Sequence, residues 1–212
     1  MASELSQKFT AEDVLNIFIE EHRLLNKIDP LFYPDAELTF ASDFVDLCDA
    51  LDLLPYRSLY AVLNRSFNIS ASKEDWKPIL ALDNNLFNIC NFIATHSQCE
   101  SITAKKLFTQ NCLRAAVFLD LKEYLSENNI DVSDLRPSTL IVPYFEKHFG
   151  YMLDKITKLS KGKRVFELLN IKRKKGGFFN YINIFDSERY TYETGDIRTF
   201  RDLTLKIIEV NS

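Results

Sequence analysis

The stretch Asp46-Leu47-Cys48-Asp49-Ala50-Leu51-Asp52-Leu53 decides our interpretation of the fold, together with the helical stretch that ends at Phe67-Asn68-Ile69. Pro55 follows closely and suits the first turn of a helix, where its missing N–H group is not needed. Apolar residues then recur at helical spacing and mark one buried stripe. These residues are Leu59, Val62, Leu63 and Phe67. We therefore expect a helix that begins near residues 50–54 and ends near Phe67.

Further helices are predicted on both sides of this stretch. Thr10 and Asp13 form a capping-box-like start, and the spacing of the apolar residues after them predicts a helix over about residues 11–26. A long loop is expected after it. Ser72 suits the start of a short helical segment, and Asp83-Asn84-Asn85 suits the start of another helix.

The order long helix, loop, helix, short helix, helix, with the stretch at 46–53, resembles the acyl carrier protein family over roughly residues 9–97. The resemblance implies a four-helix carrier-like bundle. It also implies a site for phosphopantetheine, which this family attaches to a serine in the same stretch. Here Ala50 occupies the expected serine position, and a methyl group cannot form the phosphodiester. We therefore predict a carrier-like unit that holds no cofactor.

Two other hydroxyl groups are weaker alternatives for attachment. Ser58 sits one turn inside the predicted helix and follows Arg57 instead of an acidic residue, whereas Ser138 follows Pro137, where a capped turn is the plainer interpretation. The second helix of the family is usually acidic and docks on basic patches of partner enzymes. The segment 55–66 contains two arginines and no carboxylate, so that docking role does not carry over unaltered.

A second helical unit is predicted over residues 103–210. Its start at Thr103-Ala104-Lys105-Lys106 is similar to the start of the first helix, and Thr199 with Asp202 suits the cap of a closing helix. An inserted β-hairpin is expected at about residues 178–193, where β-branched and aromatic residues surround Asp186-Ser187-Glu188. The chain then contains either two tandem carrier-like units or two unrelated sets of amphipathic helices. Both alternatives give a mainly α fold class.

Composition indicates a globular protein. Of the 212 residues, 46% are apolar, which is enough for a proper core. No secretory signal and no apolar run of membrane-spanning length is present, and the four cysteines are too sparse for a disulfide scaffold. We therefore expect a cytoplasmic protein with no membrane association. The sequence does not predict an oligomeric state.

Formal charge is distributed unevenly along the chain. Residues 1–100 hold 16 acidic and 7 basic residues, a net charge of −9, whereas the remainder holds 14 and 19, a net charge of +5. Nine basic residues face only Glu167 within residues 155–175. These basic residues are Lys155, Lys158, Lys161, Lys163, Arg164, Lys172, Arg173, Lys174 and Lys175.

Three kinds of partner fit this basic segment. Phosphate contacts, with stacking by Phe178, Phe179 or Tyr181, would bind nucleic acid. An acidic protein partner, or the acidic first half of the chain itself, fits equally well.

No enzyme signature is found. Cys90, His96, Cys99 and Cys112 match no familiar zinc spacing, so no metal site is predicted. The leading hypothesis is a non-catalytic adaptor or protein-interaction module that lacks the attachment serine. The alternative is a nucleic-acid-binding protein that uses residues 155–175 and the adjoining hairpin.

Overall fold

The computed structural model describes residues 4–6, 8–26, 36–51, 59–98, 101–107, 110–166, 170–173 and 190–212. This part of the chain is mainly helical, as the sequence predicts, with eight helices and six short strands. The helices are α1 (Ala11–Leu25), α2 (Phe44–Ala50), α3 (Leu59–Phe67), α4 (Lys73–Ile79), α5 (Leu86–His96), α6 (Leu113–Glu127), α7 (Val142–Leu159) and α8 (Phe200–Val210). The strands are β1 (Glu4–Leu5), β2 (Ile102–Thr103), β3 (Lys105–Leu107), β4 (Gln110–Cys112), β5 (Asn170–Arg173) and β6 (Tyr190–Glu193).

The predicted first helix is confirmed as α1. The Thr10 hydroxyl accepts a hydrogen bond from the Asp13 backbone N–H at 3.1 Å, and the Asp13 carboxylate accepts one from the Thr10 N–H at 2.8 Å. This reciprocal capping box satisfies N–H groups that have no partner within the helix. The same device starts α4 at Ser72 and α8 at Thr199.

Helix α2 corrects two expectations. It lies where the long loop was predicted, and Asp43 with Asp46 caps its start through bonds of 2.9 and 3.0 Å. Ala50 is therefore the last residue of a helix, not a residue near the start of one. Pro55 lies outside the described residues. Helix α3 ends at Phe67 as predicted, because Asn68 turns into the left-handed region with φ 50°.

The region predicted as the second unit starts with strands, although a helix was predicted at Thr103. Strand β2 pairs antiparallel with β1, so that Leu5 lies opposite Ile102, and β3 pairs with β4. The first helix of this unit, α6, begins only at Leu113. Pairing with β1, nearly 100 residues earlier in the chain, is a tertiary contact that overrides the local helical pattern.

A pair of antiparallel strands lies near the predicted hairpin, and its second strand falls within the predicted residues 178–193. Strand β6 (Tyr190–Glu193) pairs antiparallel with β5 (Asn170–Arg173), so the basic segment supplies the partner strand. The expected first strand at 178–185 lies outside the described residues.

Backbone hydrogen bonds join the starts of two pairs of helices. Phe44 N–H donates to Asn84 O at 3.0 Å and Leu86 N–H donates to Ser42 O at 2.8 Å, so the starts of α2 and α5 lie side by side. The starts of α7 and α8 are joined in the same way, by Ile141 N–H to Arg198 O at 3.0 Å and Phe200 N–H to Thr139 O at 3.1 Å.

Two apolar clusters form the core. One draws its members from α1 to α5, and the other from the strands β1 and β2, from α6 to α8 and from β6. Helix α1 serves both, because Val14, Ile17 and Phe18 lie in the first cluster and Leu24 lies in the second. Leu25 packs against both. Helix α1 is therefore the element on which the two sides of the molecule meet.

Candidate functional site

The lysines of the predicted basic surface make specific contacts within the chain. Lys155 forms an ion pair with Asp120 at 2.7 Å and lies 5.3 Å from the centre of the Tyr124 ring. Lys163 donates to the Val210 carbonyl oxygen at 2.9 Å. Both contacts tie α7 and its following turn to other helices of the second unit.

Lys158 crosses from the second unit to the first. Its ammonium group lies 2.5 Å from the Asp154 carboxylate, donates to the Ser66 hydroxyl oxygen at 2.6 Å, and lies 5.2 Å from the centre of the Phe67 ring. The side chain of Lys158 is only 10% exposed. Because all these contacts come from its own chain, this ammonium group is not available as a free surface charge.

Lys161 also reaches the first unit. Its ammonium group donates to the Lys8 carbonyl oxygen at 2.9 Å and lies 3.7 Å from the Asp13 carboxylate. Gly162 follows with φ +69°, and a Cβ atom built there would lie 2.1 Å from the Asn16 carbonyl carbon. The turn after α7 therefore touches the backbone of α1 directly, which only glycine permits.

Arg23, near the C-terminal end of α1, contacts the segment that follows α7. Its guanidinium group donates two bonds of 2.6 Å to the Glu20 carboxylate and one of 2.8 Å to the Phe166 carbonyl oxygen. We call this line of contacts the seam. The seam consists of Asp13, Asn16, Glu20, Glu21, Arg23 and Ser66 on one side and Tyr124, Asp154, Thr157, Lys158, Lys161, Gly162 and Phe166 on the other.

Glu21 is the most perturbed acid of the seam. Its carboxylate accepts a bond from the Thr157 hydroxyl at 3.0 Å. Burial raises the pKa of Glu21 to about 7, and the charge of Asp154 acts in the same direction, whereas Lys158 and the Thr157 bond oppose the rise. The carboxyl group of a half-buried side chain therefore titrates near neutral pH at the contact between α1 and α7.

The Asp154 carboxylate accepts hydrogen bonds from two hydroxyl groups of the seam. Ser66 donates to one carboxylate oxygen at 2.8 Å and Tyr124 donates to the other at 2.5 Å. Burial, followed by the charge of Asp154, raises the pKa of Tyr124 well above its ordinary value, so the phenol stays protonated as a donor.

The short distance between Ser66 and Lys158 does not form an activated nucleophile. A general base would need a neutral amine that accepts the serine proton. Here Lys158 forms an ion pair with Asp154, and the Ser66 hydroxyl donates to the same carboxylate. The geometry is that of a satisfied polar network that joins four helices.

The remaining residues of the predicted basic surface lie after the Gly162 turn. Arg164 is exposed, and Lys172 and Arg173 belong to strand β5. Lys174 and Lys175 lie outside the described residues. The structure therefore brings Lys158 and Lys161 to the seam and places Lys163 and Arg164 on the far side of the Gly162 turn.

The predicted attachment positions also separate. Ala50 is fully buried in the first apolar cluster. Ser58 lies outside the described residues. Ser138 is exposed in a turn in which the Thr139 hydroxyl accepts from the Arg136 N–H at 2.9 Å.

A different surface lies where α2 and α5 begin. Large apolar side chains are exposed there, with Leu82 at 62%, Phe87 at 48% and Val45 at 41%. The rings of Phe40 and Phe87 meet edge to face, with centroids 5.5 Å apart. We call this surface the acidic face. It comprises Glu37, Phe40, Val45, Asp49, Leu82, Asp83 and Phe87.

The acidic face has no basic neighbour in the segments that form it. Residues 36–51 and 79–98 contain five carboxylates and no lysine or arginine. Glu37, Asp49 and Asp83 are exposed and form no ion pair with a lysine or arginine in the part of the chain that the structure describes. The face therefore combines exposed apolar area with carboxylates that form no ion pair among the described residues.

Metal and membrane sites are not found among the described residues. No group of three or more His, Cys, Asp or Glu side chains there is arranged to hold a metal ion, and Cys99 of the considered set is not described. Burial raises the pKa of the Cys90 thiol to about 12. None of the described helices is long and apolar enough to cross a membrane.

Comparison with known proteins returns no match. No protein-family model, no curated protein and no solved structure is significantly similar to this chain.

Neither surface could be located from the sequence alone. Glu21, Ser66 and Asp154 meet at the seam although more than 40 residues separate each from the next. No local pattern marks such a meeting. One part of the acidic face does have a local sequence signal. Asp43-x-x-Asp46 is a capping pattern that marks the start of α2, the helix that carries the exposed Val45.

Proposed function

We propose that this chain is a non-catalytic protein-interaction module that presents the acidic face to a partner protein. The observation that carries the proposal is the exposure of Val45, Leu82 and Phe87 in segments whose exposed carboxylates form no ion pair among the described residues. Exposed apolar area of this kind, rimmed by charge, is typical of a protein-binding surface.

The seam supports the same function by holding the two units together. Contacts of Gly162, Lys158 and Lys161 with the first unit fix the acidic face relative to the second unit. A rigid platform binds without the entropic cost of ordering its parts, which favours an adaptor.

The carrier-like arrangement of the first unit stays a proposal. The order of α1, α3, α4 and α5 supports it, whereas α2 and the alanine at position 50 depart from the family pattern. A phosphopantetheine arm could not leave from a fully buried position, so the interaction role does not depend on a prosthetic group. Intact mass after co-expression with a promiscuous phosphopantetheinyl transferase is expected to be unchanged, and an adduct would contradict this part of the proposal.

The nucleic-acid alternative has less support. Lys155, Lys158 and Lys161 contact groups of their own chain and are largely shielded, which removes them from the set of free phosphate ligands. Of the basic segment, Lys163 and Arg164 are exposed among the side chains that the structure describes and remain for such binding.

Site-specific photo-cross-linking tests the proposed function. A photoreactive amino acid at position 87 of the full chain is expected to form a covalent adduct with a discrete protein, whose cross-linked peptide is identified by mass spectrometry. The matched control carries the same group at Leu205, which is 41% exposed on α8 of the second unit. Equal adducts from both positions, or none from position 87, would refute the proposal.

A further inference from the structure

We propose that the acidic face binds a positively charged peptide segment of another protein, one that carries lysines or arginines around at least one large apolar side chain. The inference rests on the proposed function and adds the chemistry of the partner.

The platform for this segment is rigid. The starts of α2 and α5 are tied by the backbone bonds of Phe44 and Leu86, and Phe87 N–H donates to Phe40 O at 3.2 Å. Asn85 caps α5 by accepting from the Asn88 N–H at 3.1 Å. The side chains of Phe40 and Phe87 therefore project from backbone that is already hydrogen-bonded, so binding does not have to order it.

Apolar contact supplies the anchor. Phe87 is half exposed while its ring edge already rests on Phe40, so a partner side chain would complete a partly built apolar cluster. Leu82, in the turn before α5, is the most exposed of the large apolar residues in the described chain. Aromatic anchors of this type carry most of the binding free energy of an interface.

Charge decides which class of partner fits. Asp83 follows Leu82 in the turn before α5, Glu37 and Asp49 lie before and within α2, and all three are exposed. Nucleic acid and acidic proteins would be repelled, whereas a segment with lysine or arginine would be attracted and steered during approach. Asp43 and Asp46 are engaged in the α2 cap, so Glu37, Asp49 and Asp83 are the acids of the face left to meet the partner.

A second copy of this chain fits less well than a different protein. Lys155, Lys158 and Lys161 are held in internal contacts, so these three lysines do not offer a free cluster of cations to another acidic face. Sedimentation of the full chain at low salt tests this choice. If any self-association is seen, we expect it to be the same in the wild type and in Phe87→Ser. Phe87-dependent dimers would overturn the choice of partner.

The test uses the full chain and a defined probe, a 16-residue amphipathic peptide of leucine and lysine. Calorimetric titration at low salt is expected to show binding that weakens as the salt concentration rises. Phe87→Ser, and separately the pair Asp49→Lys and Asp83→Lys, are expected to weaken it at least about tenfold. Backbone amide signals of α2 and α5 are expected to shift on binding.

Matched controls keep the result specific. Leu205→Ser removes an exposed apolar side chain and Glu127→Lys reverses an exposed charge, both on the second unit, and both variants are expected to bind the peptide like the wild type. A peptide in which glutamate replaces lysine is expected not to bind. Amide shifts confined to other helices, or equal loss in the control variants, would overturn the proposal.

The outcome separates this inference from the proposed function. A partner that is cross-linked at position 87 through an acidic or uncharged segment would overturn the inference and leave the interaction function standing. Absence of any partner at position 87 would remove the function itself.

Discussion

Gly162 shows how a single residue fixes the contact between the two units. It combines a left-handed backbone with φ +69° and a close approach to Asn16, whereas Gly195 has a similar φ of +62° and nothing within 4 Å of a built Cβ atom. Substituting Gly162 and Gly195 in turn therefore separates the effect of backbone conformation on stability from the effect of steric contact.

We predict that Gly162→Ala lowers the free energy of unfolding by roughly 2–4 kcal/mol, because the added methyl group must displace the α1 backbone. Gly195→Ala is expected to lower it by only about 1 kcal/mol, the effect of the left-handed backbone alone. Urea denaturation measures both changes. Equal losses in the two variants would show that the turn does not touch α1.

Glu21 gives the seam a pH dependence. Its folded pKa of about 7 lies above the ordinary value of 4.5, so the folded state binds a proton that the unfolded state has released. Stability therefore falls as the pH rises from about 4.5 to about 7, and this contribution is constant above that range.

We predict that Glu21→Gln removes this slope, because the amide keeps an acceptor for Thr157 and cannot ionise. At pH 8 the variant is expected to be more stable than the wild type, by up to about 3 kcal/mol. Glu12→Gln, on the exposed side of the same helix, serves as the control and is expected to keep the wild-type slope. Parallel stability curves for wild type and Glu21→Gln between pH 5 and 8 would contradict the assignment.

At the scale of the elements, the helices that start with a capping pattern were the most predictable. Thr10 with Asp13 and Thr199 with Asp202 marked α1 and α8 correctly, because a cap is a local hydrogen-bonding device. Helix α2 has the same device at Asp43 and was missed. It is only seven residues long, and its burial depends on tertiary packing of Phe44 and Leu47.

Strands β1 to β4 were missed for a different reason. Each has two or three residues, and β2 finds its partner at Glu4–Leu5. Such pairs are stabilised by the surrounding fold and leave no periodic signal of their own. The seam and the acidic face share this property, since both arise where distant segments meet.

The cap of α8 provides a test at this scale. Thr199→Ala removes the acceptor for the Asp202 N–H and leaves the Asp202 carboxylate without the Thr199 hydroxyl bond of 2.9 Å. We predict a loss of about 1 kcal/mol of unfolding free energy. Thr199→Ser keeps the hydroxyl group and is expected to retain most of the stability. Urea midpoints that are the same for alanine and serine would argue that this cap contributes nothing.

At the scale of the whole molecule, the seam makes the basic segment part of the fold. Lys158 and Asp154 are 10% and 26% exposed and share Ser66 as a common neighbour on α3. An ion pair that is shielded in this way interacts more strongly than one at the surface.

A double-mutant cycle measures that coupling. We predict that Asp154→Asn and Lys158→Met each lower the unfolding free energy, and that the double variant loses less than the sum, with a coupling of about 1–2 kcal/mol. Lys206 and Glu209 form the control pair, at 3.2 Å with Glu209 70% exposed, and are expected to show a coupling below about 0.5 kcal/mol. Equal coupling in the two pairs would place the seam at the surface.

The central claim is that the acidic face, and not the basic segment, binds the partner. Parallel titrations of the full chain at low salt, with the leucine–lysine peptide and with duplex DNA and single-stranded RNA, test it most directly. We expect the wild type to bind the peptide, Phe87→Ser not to bind it, and neither protein to bind either nucleic acid. Nucleic-acid binding that decreases steeply with salt and persists in Phe87→Ser, with no binding of the peptide, would contradict it.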